Sequence, residues 1–171
     1  MNLKHIMLVL AALTTGLTAG VFFGYQVSII PAFTALSNTA YIDAMQRINN
    51  AIQNPAFLVT FMSPAIFLPV ATYLRRKTSF SLPFTFLFVA TCLYIVGTFG
   101  VTMAANVPLN DALAAFSFQT ATPEQIATAR TAFQDPWNFW HLIRTVASVG
   151  SFLLIIIASL SASDVRSVPS R

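Results

Sequence analysis

Four stretches of this chain are long and apolar enough to cross a lipid bilayer, and this limits the fold more than any other feature. They run at about 6–30, 55–74, 80–105 and 136–162, and a spanning helix needs about 20 mostly apolar residues. Inside hydrocarbon every backbone N–H and C=O must find a partner within the protein, which makes each span helical. The expected fold is all-α: a four-helix transmembrane bundle in which residues 1–171 form a single integral membrane domain. Composition agrees, since 56% of the residues are hydrophobic and 8% are charged, against about 25% charged in a soluble domain. Lys4 followed by an apolar run imitates a signal peptide, but the run is too long and reads as a retained helix.

Charge fixes an expected orientation. Lys4, Arg75, Arg76, Lys77, Arg166 and Arg171, against Asp164 alone, give one side of the bundle a net +5. The other side holds Arg47, Arg130 and Arg144 against Asp43, Asp111, Glu124 and Asp135, a net −1. Cytoplasmic loops carry the excess of Lys and Arg. Both termini are therefore expected in the cytoplasm, with the protein in a bacterial inner membrane. The overall +4 reports this topology and calls for no nucleic-acid partner. Cys92 is the single cysteine, so no internal disulfide forms. No CxxC, HExxH, P-loop or GxGxxG pattern occurs.

The two outer connections share a plan. In the first, Tyr41, Met45, Ile48 and Ile52 recur at helical spacing and predict a short interfacial helix. In the second, Thr122, Pro123 and Gln125 form a capping box with proline at the first helical position. "PAFTAL" (31–36) resembles "PLNDAL" (108–113), and "AIQNP" (51–55) resembles "AFQDP" (132–136). Asn54-Pro55 and Asp135-Pro136 both read as an N-cap followed by proline, each opening a span. The chain therefore reads as two parallel two-helix repeats related by an axis along the membrane normal. In the first span Ala12, Gly16, Gly20 and Gly24 predict a close-packing seam, with a flat face for a planar ligand as the alternative. Pro64 and Pro69 predict kinks in the second span.

The repeats differ where the second has gained polar groups. Trp137, His141, Arg144, Ser148 and Ser151 form one stripe along the fourth span, and charges inside a membrane helix by default face a cavity or a partner. The plainer alternatives are that Arg144 snorkels to the headgroups and that Trp137 and Trp140 belong to an interfacial belt. Asn106 and Asn110 on the third span supply a facing wall, with Asn106 capping a short helix and Pro108 ending the span as the structural reading. Asn50 in the first outer loop joins the candidates, solvent exposure of Asn49 and Asn50 being the alternative.

"YIDAMQRINNAIQNPAF", "VTMAANVPLN" and "WNFWHLIRT", in this order among four hydrophobic segments, resemble the anthrone-oxygenase-like family of small membrane proteins. The resemblance runs from the first helix to the fourth. Its most specific parts are Asn106-x-Pro108-x-Asn110 and Trp137-x-x-x-His141-x-x-Arg144. It implies oxidation of anthrones to anthraquinones by molecular oxygen without a recognised metal or flavin, in a family many of whose members have no assigned activity. The residues suit that chemistry. His141 is a candidate base and Arg144 a candidate holder of the enolate oxygen. Asn106, Asn110 and Asn50 are candidates to orient a carbonyl, and Trp137 and Trp140 to stack on a planar ring. No metal site is expected, because one histidine without clustered carboxylates or thiols is a poor zinc or iron site. A haem or copper ligand role for His141 with Met103 or Met45 is the alternative. Expected partners are membrane lipid, a hydrophobic small molecule, and neighbouring membrane subunits or a second copy. A non-catalytic accessory or ligand-binding subunit is the competing function.

Overall fold

The computed structural model describes residues 2–76 and 81–164, with side chains through residue 161. Lys77, Arg166, Arg171 and the Asp164 side chain, used above to orient the chain, lie outside the described side chains, as does Phe80 at the expected start of the third span. Eight α-helices, three π-helical segments and no strand make up the described residues. Four helical stretches are long and apolar enough to cross a membrane: Leu3–Thr34, Pro55–Tyr73, Leu82–Ala114 and Pro123–Ser161. The chain is an integral membrane protein built as an up-down-up-down bundle, each span packing against the next and the fourth returning to the first.

The first span is α1 (Leu3–Gly24), a π turn at Tyr25–Ile29, and α2 (Ile30–Thr34). The third is α6 (Leu82–Cys92), π segments at Leu93–Gly100 and Thr102–Asn106, and α7 (Val107–Ala114). Both run on through a proline where the sequence predicted an end. The reason is local. Pro31 and Pro108 have no N–H to donate, and the helix absorbs the gap one residue earlier by widening. Ile30 N–H reaches Tyr25 O and Val107 N–H reaches Thr102 O, each an i→i+5 bond. Asn106 is accordingly helical and makes no side-chain cap, which corrects both the capping role and the end of the span at Pro108. Pro31 and Pro108 thus carry the same local device, each following an i→i+5 turn by one residue.

The second span is interrupted before Pro64 as expected, whereas α5 continues through Pro69. Ser63 separates α4 (Pro55–Met62) from α5 (Pro64–Tyr73), and Asn54 caps α4 through Phe57 N–H at 3.0 Å. Pro64 cannot donate to Thr60 O. Thr18 Oγ1 donates there instead at 3.3 Å, and Tyr94 Oη donates to Phe61 O at 2.6 Å. The fourth span departs from expectation. The capping box forms, with Thr122 N to Gln125 Oε1 at 2.8 Å and Gln125 N to Thr122 Oγ1 at 3.3 Å, but α8 then runs unbroken over Pro123–Asp164 with Pro136 inside it. Asp135-Pro136 therefore opens no helix, and its equivalence to Asn54-Pro55 fails. Tertiary packing holds the helix through the proline: Ile126, Phe133 and Trp137 are buried in one cluster with Tyr41, Ile42, Met45 and Leu113.

That cluster seats the connecting helix α3 (Asn38–Ala51) on the end of the bundle away from the termini. A second apolar cluster, including Leu8, Leu68, Leu87, Tyr94 and Ile155, fills the terminal end. The expected glycine seam is a contact at Gly16, where an added Cβ would lie 2.9 Å from the Phe152 ring, and is open at Gly20 and Gly24. The tightest approach is Gly97 on Ala147, where an added Cβ would meet the alanine Cβ at 2.6 Å.

Each half ties off the other. Arg130 on α8 donates to Leu36 O at 2.7 Å, Phe33 O at 3.3 Å and Thr34 O at 3.5 Å, carbonyls at the end of the first span, of which Phe33 O also accepts from Leu36 N–H. Gln46 on α3 donates to Leu113 O at 2.8 Å and Phe116 O at 2.9 Å, ending the third. The Arg130 guanidinium also lies 4.5 Å from the Tyr41 ring centre, and burial pushes that phenol up to about 12, so it stays protonated. Arg130→Ala is expected to cost about 1.5–3 kcal/mol, the usual worth of hydrogen bonds to a charged group. Thermal unfolding in detergent checks this, and an unchanged midpoint would mean that water replaces the clamp at no cost.

Candidate functional site

Between the outer and terminal clusters the bundle encloses a cavity of about 350 Å³, within the size range of small-molecule sites. All four spans and α3 line it. Its back wall is α8, where residues 137, 141 and 144 fall on one face because helical neighbours recur at three and four positions. Trp137 is 3% exposed, His141 1% and Arg144 7%, so the arginine turns inward instead of reaching for the headgroups.

These side chains form a stack. Trp137 lies parallel on the His141 ring, centroids 4.8 Å apart with 7° between planes. Tyr25 meets both rings, at 5.3 and 5.2 Å. The Arg144 carbon centre sits 4.4 Å from the Phe22 ring centre and 5.1 Å from that of Trp137. Arg144 donates to His141 Nδ1 from Nε at 3.1 Å and from Nη2 at 2.9 Å, and from Nη1 to Thr102 Oγ1 at 3.4 Å. A guanidinium has no acceptor, so His141 Nδ1 must carry a lone pair. The ring proton is then on Nε2, donated to Phe22 O at 3.2 Å. The hydrogen-bond partners thus assign a neutral histidine of known tautomer.

No carboxylate pairs with Arg144. An ion pair joins Arg47 to Asp43, at 2.9 Å on the exposed face of α3, far along the chain from Arg144. A buried cation without an anion is costly, and Arg144 is held by neutral acceptors and ring faces on the wall of a cavity. A planar anion entering there would supply the missing charge and match the guanidinium fork.

The third span closes the site through its π turn. Asn110 Oδ1 accepts from Trp137 Nε1 at 2.8 Å, and Asn106 Nδ2 donates to Trp137 O at 3.2 Å. Asn106 Oδ1 is buried with no partner, as is Asn49 Nδ2 on α3. Trp137, His141, Arg144, Asn110 and Asn106 are therefore brought together, with Asn106 behind the cavity lining. Trp140 packs on Phe139 away from the cavity, and Asn50 is exposed. Asn49 takes the place expected of Asn50: it follows Met45 by one turn on the buried face, a phase that the Tyr41–Met45 spacing already implied. Phe22, Tyr25 and Thr102 are also lining residues that the sequence reading missed. Phe22 carries no polar signal, and an isolated tyrosine such as Tyr25 is common on membrane helices. Thr102 lies one turn before Asn106 and could have been found from it. Ser148 and Ser151 continue the stripe below the cavity, where their hydroxyls donate to Thr145 O and Ala90 O, both at 2.9 Å.

No group of three or more His, Cys, Asp or Glu side chains comes together among the described residues. Met45 accepts from Tyr25 Oη at 3.0 Å, and both nitrogens of His141 are engaged as described.

The sequence model of the anthrone oxygenase family matches residues 55–154, more than half of the chain, a segment containing Asn106, Asn110, Trp137, His141 and Arg144. No curated protein and no solved structure matches.

Proposed function

The chain belongs to the anthrone oxygenase family, and from that premise we propose that it is a membrane-embedded oxygenase for a hydrophobic phenolic or anthrone-type carbon acid, working without metal or flavin. The observation that carries this reading is Arg144, a buried cation on a cavity wall with only neutral partners. The substrate carbonyl binds the guanidinium, which withdraws donors from His141 Nδ1 and frees its lone pair. The imidazole then takes a proton from the methylene carbon, which in an anthrone lies across the central ring from the carbonyl, and the charge is delocalised through the rings onto the oxygen held by Arg144. The resulting electron-rich carbanion passes one electron to oxygen. Recombination of the carbon radical with superoxide forms the C–O bond of a peroxide anion, the His141 imidazolium returns its proton to give the hydroperoxide, and loss of water across C–H and O–O leaves the new carbonyl. One oxygen atom ends in product and the other in water, so the oxidation balances with O₂ alone. Trp137 and Tyr25 flank the ring, and Asn49 and Asn110 offer amides to further oxygens.

Both His141 nitrogens are occupied without ligand, and this favours a second reading: a non-catalytic subunit that binds an anionic ligand or lipid headgroup. Oxygen uptake by the pure protein across anthrones, naphthols and quinols separates the two. Uptake with one water formed per O₂ supports the oxygenase. No uptake on any of them, with other subunits copurifying in fixed ratio, supports the accessory role.

We place both termini in the cytoplasm of a bacterial inner membrane. An Arg76→Cys protein in a Cys92→Ser background should react with an impermeant maleimide only from the cytoplasmic face. Reaction from outside would invert the topology.

A further inference from the structure

We propose that the cavity opens sideways into the lipid, through a slit between α4 and the upper third span, and that the substrate is an amphiphile whose aliphatic substituent stays in the bilayer while its acidic ring reaches Arg144. This rests on the anion-binding reading above and narrows its substrate class.

Four lining residues define the slit. Leu58 and Met62 on α4, and Met103 and Val107 on the third span, all line the cavity. Leu58 is 41% exposed, Met62 51% and Met103 50%. They belong to stretches that cross the membrane, so the medium at their outer faces is lipid. Side chains that wall the cavity and are also exposed at membrane depth bring its edge to the lipid-facing surface, where we place the slit.

The break at Ser63–Pro64 accounts for its position. Below Ser63, α5 packs on α6 and on the following π segment. Above it, α4 packs on α1 and α5 and meets the third span near its lower end, where Phe61 stacks on Phe99 at 5.7 Å and its carbonyl accepts from Tyr94 Oη; no comparable backbone approach joins its earlier turns to that span. The two spans therefore meet at the terminal end and part towards α3. The slit also has a polarity. Gln53 and Asp111 line its outer end and are exposed. Met62 and Met103 lie about 12 Å deeper, at 1.5 Å per helical residue. Methionines adapt to varied apolar shapes, which suits a rim passed by a flexible chain. An entirely polar ligand would gain nothing from such a rim. A ligand with an anionic ring and a hydrocarbon tail uses every part of it.

The test takes the full chain in phospholipid nanodiscs with two planar enolate mimics, 2-hydroxy-1,4-naphthoquinone and its 3-decyl derivative. Binding is read from quenching of tryptophan fluorescence, with concentration expressed as mole fraction in the membrane. If the tail remains in lipid, the decyl probe should bind within about threefold of the short one, because no methylene leaves hydrocarbon. Narrowing the slit with Leu58→Phe and Met103→Phe together should weaken the decyl probe about tenfold or more relative to the short probe. A site open only to water would force the tail out of lipid and weaken the decyl probe more than about 100-fold in the wild type, overturning the slit while leaving Arg144 as an anion site. An unchanged ratio in the narrowed protein, or equal loss of both probes, would also overturn the slit. If neither probe binds the wild type, the anion-binding reading itself is lost, and the slit with it.

Discussion

His141→Ala should lower oxygen uptake on an active carbon acid by about 10²–10⁴-fold, the usual contribution of a general base. The substitution also removes the acceptor of two Arg144 donors, so alanine alone cannot tell a base from a holder. His141→Asn separates them. An amide oxygen near the position of Nδ1 would still accept from the guanidinium, yet it is too weakly basic to take the proton. If the asparagine protein keeps the wild-type rate, His141 only positions Arg144. If it is as slow as the alanine protein while its unfolding midpoint matches the wild type, the proton goes to the ring. The neutral tautomer makes this comparison meaningful, because the lone pair on Nδ1 is already in place and needs only to be released.

Arg144→Lys should lower turnover by about 10²–10³-fold, comparable to loss of an oxyanion donor, and should weaken 2-hydroxy-1,4-naphthoquinone binding as well. Charge is retained, so the loss would come from geometry. An ammonium on a flexible stem has no planar fork to span His141 Nδ1 and Thr102 Oγ1 while still presenting N–H groups to a ligand. Lysine also stacks poorly between Phe22 and Trp137, where the guanidinium now lies. Turnover measured beside probe affinity is the check. Full activity in the lysine protein would show that charge alone suffices, and lost activity with intact binding would move the arginine's role from the ground state to the transition state.

The sequence disclosed those features whose physics is local or periodic. The four spans, the Asn54 cap and the Thr122–Gln125 box depend on nearest neighbours along the chain. The Trp137–His141–Arg144 stripe depends on helical phase, and all of these are present. Misreadings arose where tertiary contacts outvoted a local signal. Asp135-Pro136 has the form of a helix start, yet α8 passes through it because its earlier turns are buried against α3. Pro108 has the form of a helix stop, yet the π turn before it carries the span onward. Phe22 and Tyr25 were invisible because an aromatic residue on a membrane helix looks the same whether it faces lipid or a ligand. Asn49 was confused with Asn50 by one position of phase, which on a helix exchanges the buried face for the exposed one.

The reciprocal clamps have a consequence for how the protein is made. Gln46 is already synthesised when the end of the third span emerges, so Leu113 and Phe116 find their donor at once. Thr34 and Leu36 must wait for Arg130, more than ninety residues later. Throughout that interval the first span stands in the membrane with its last carbonyls facing water or the insertion machinery. The outer layer closes only when the start of the final helix has been delivered, and the cavity beneath it has no finished roof until then. Assembly is thus ordered by the direction of translation, and a chain halted before residue 130 would hold three inserted spans and an unsealed pocket.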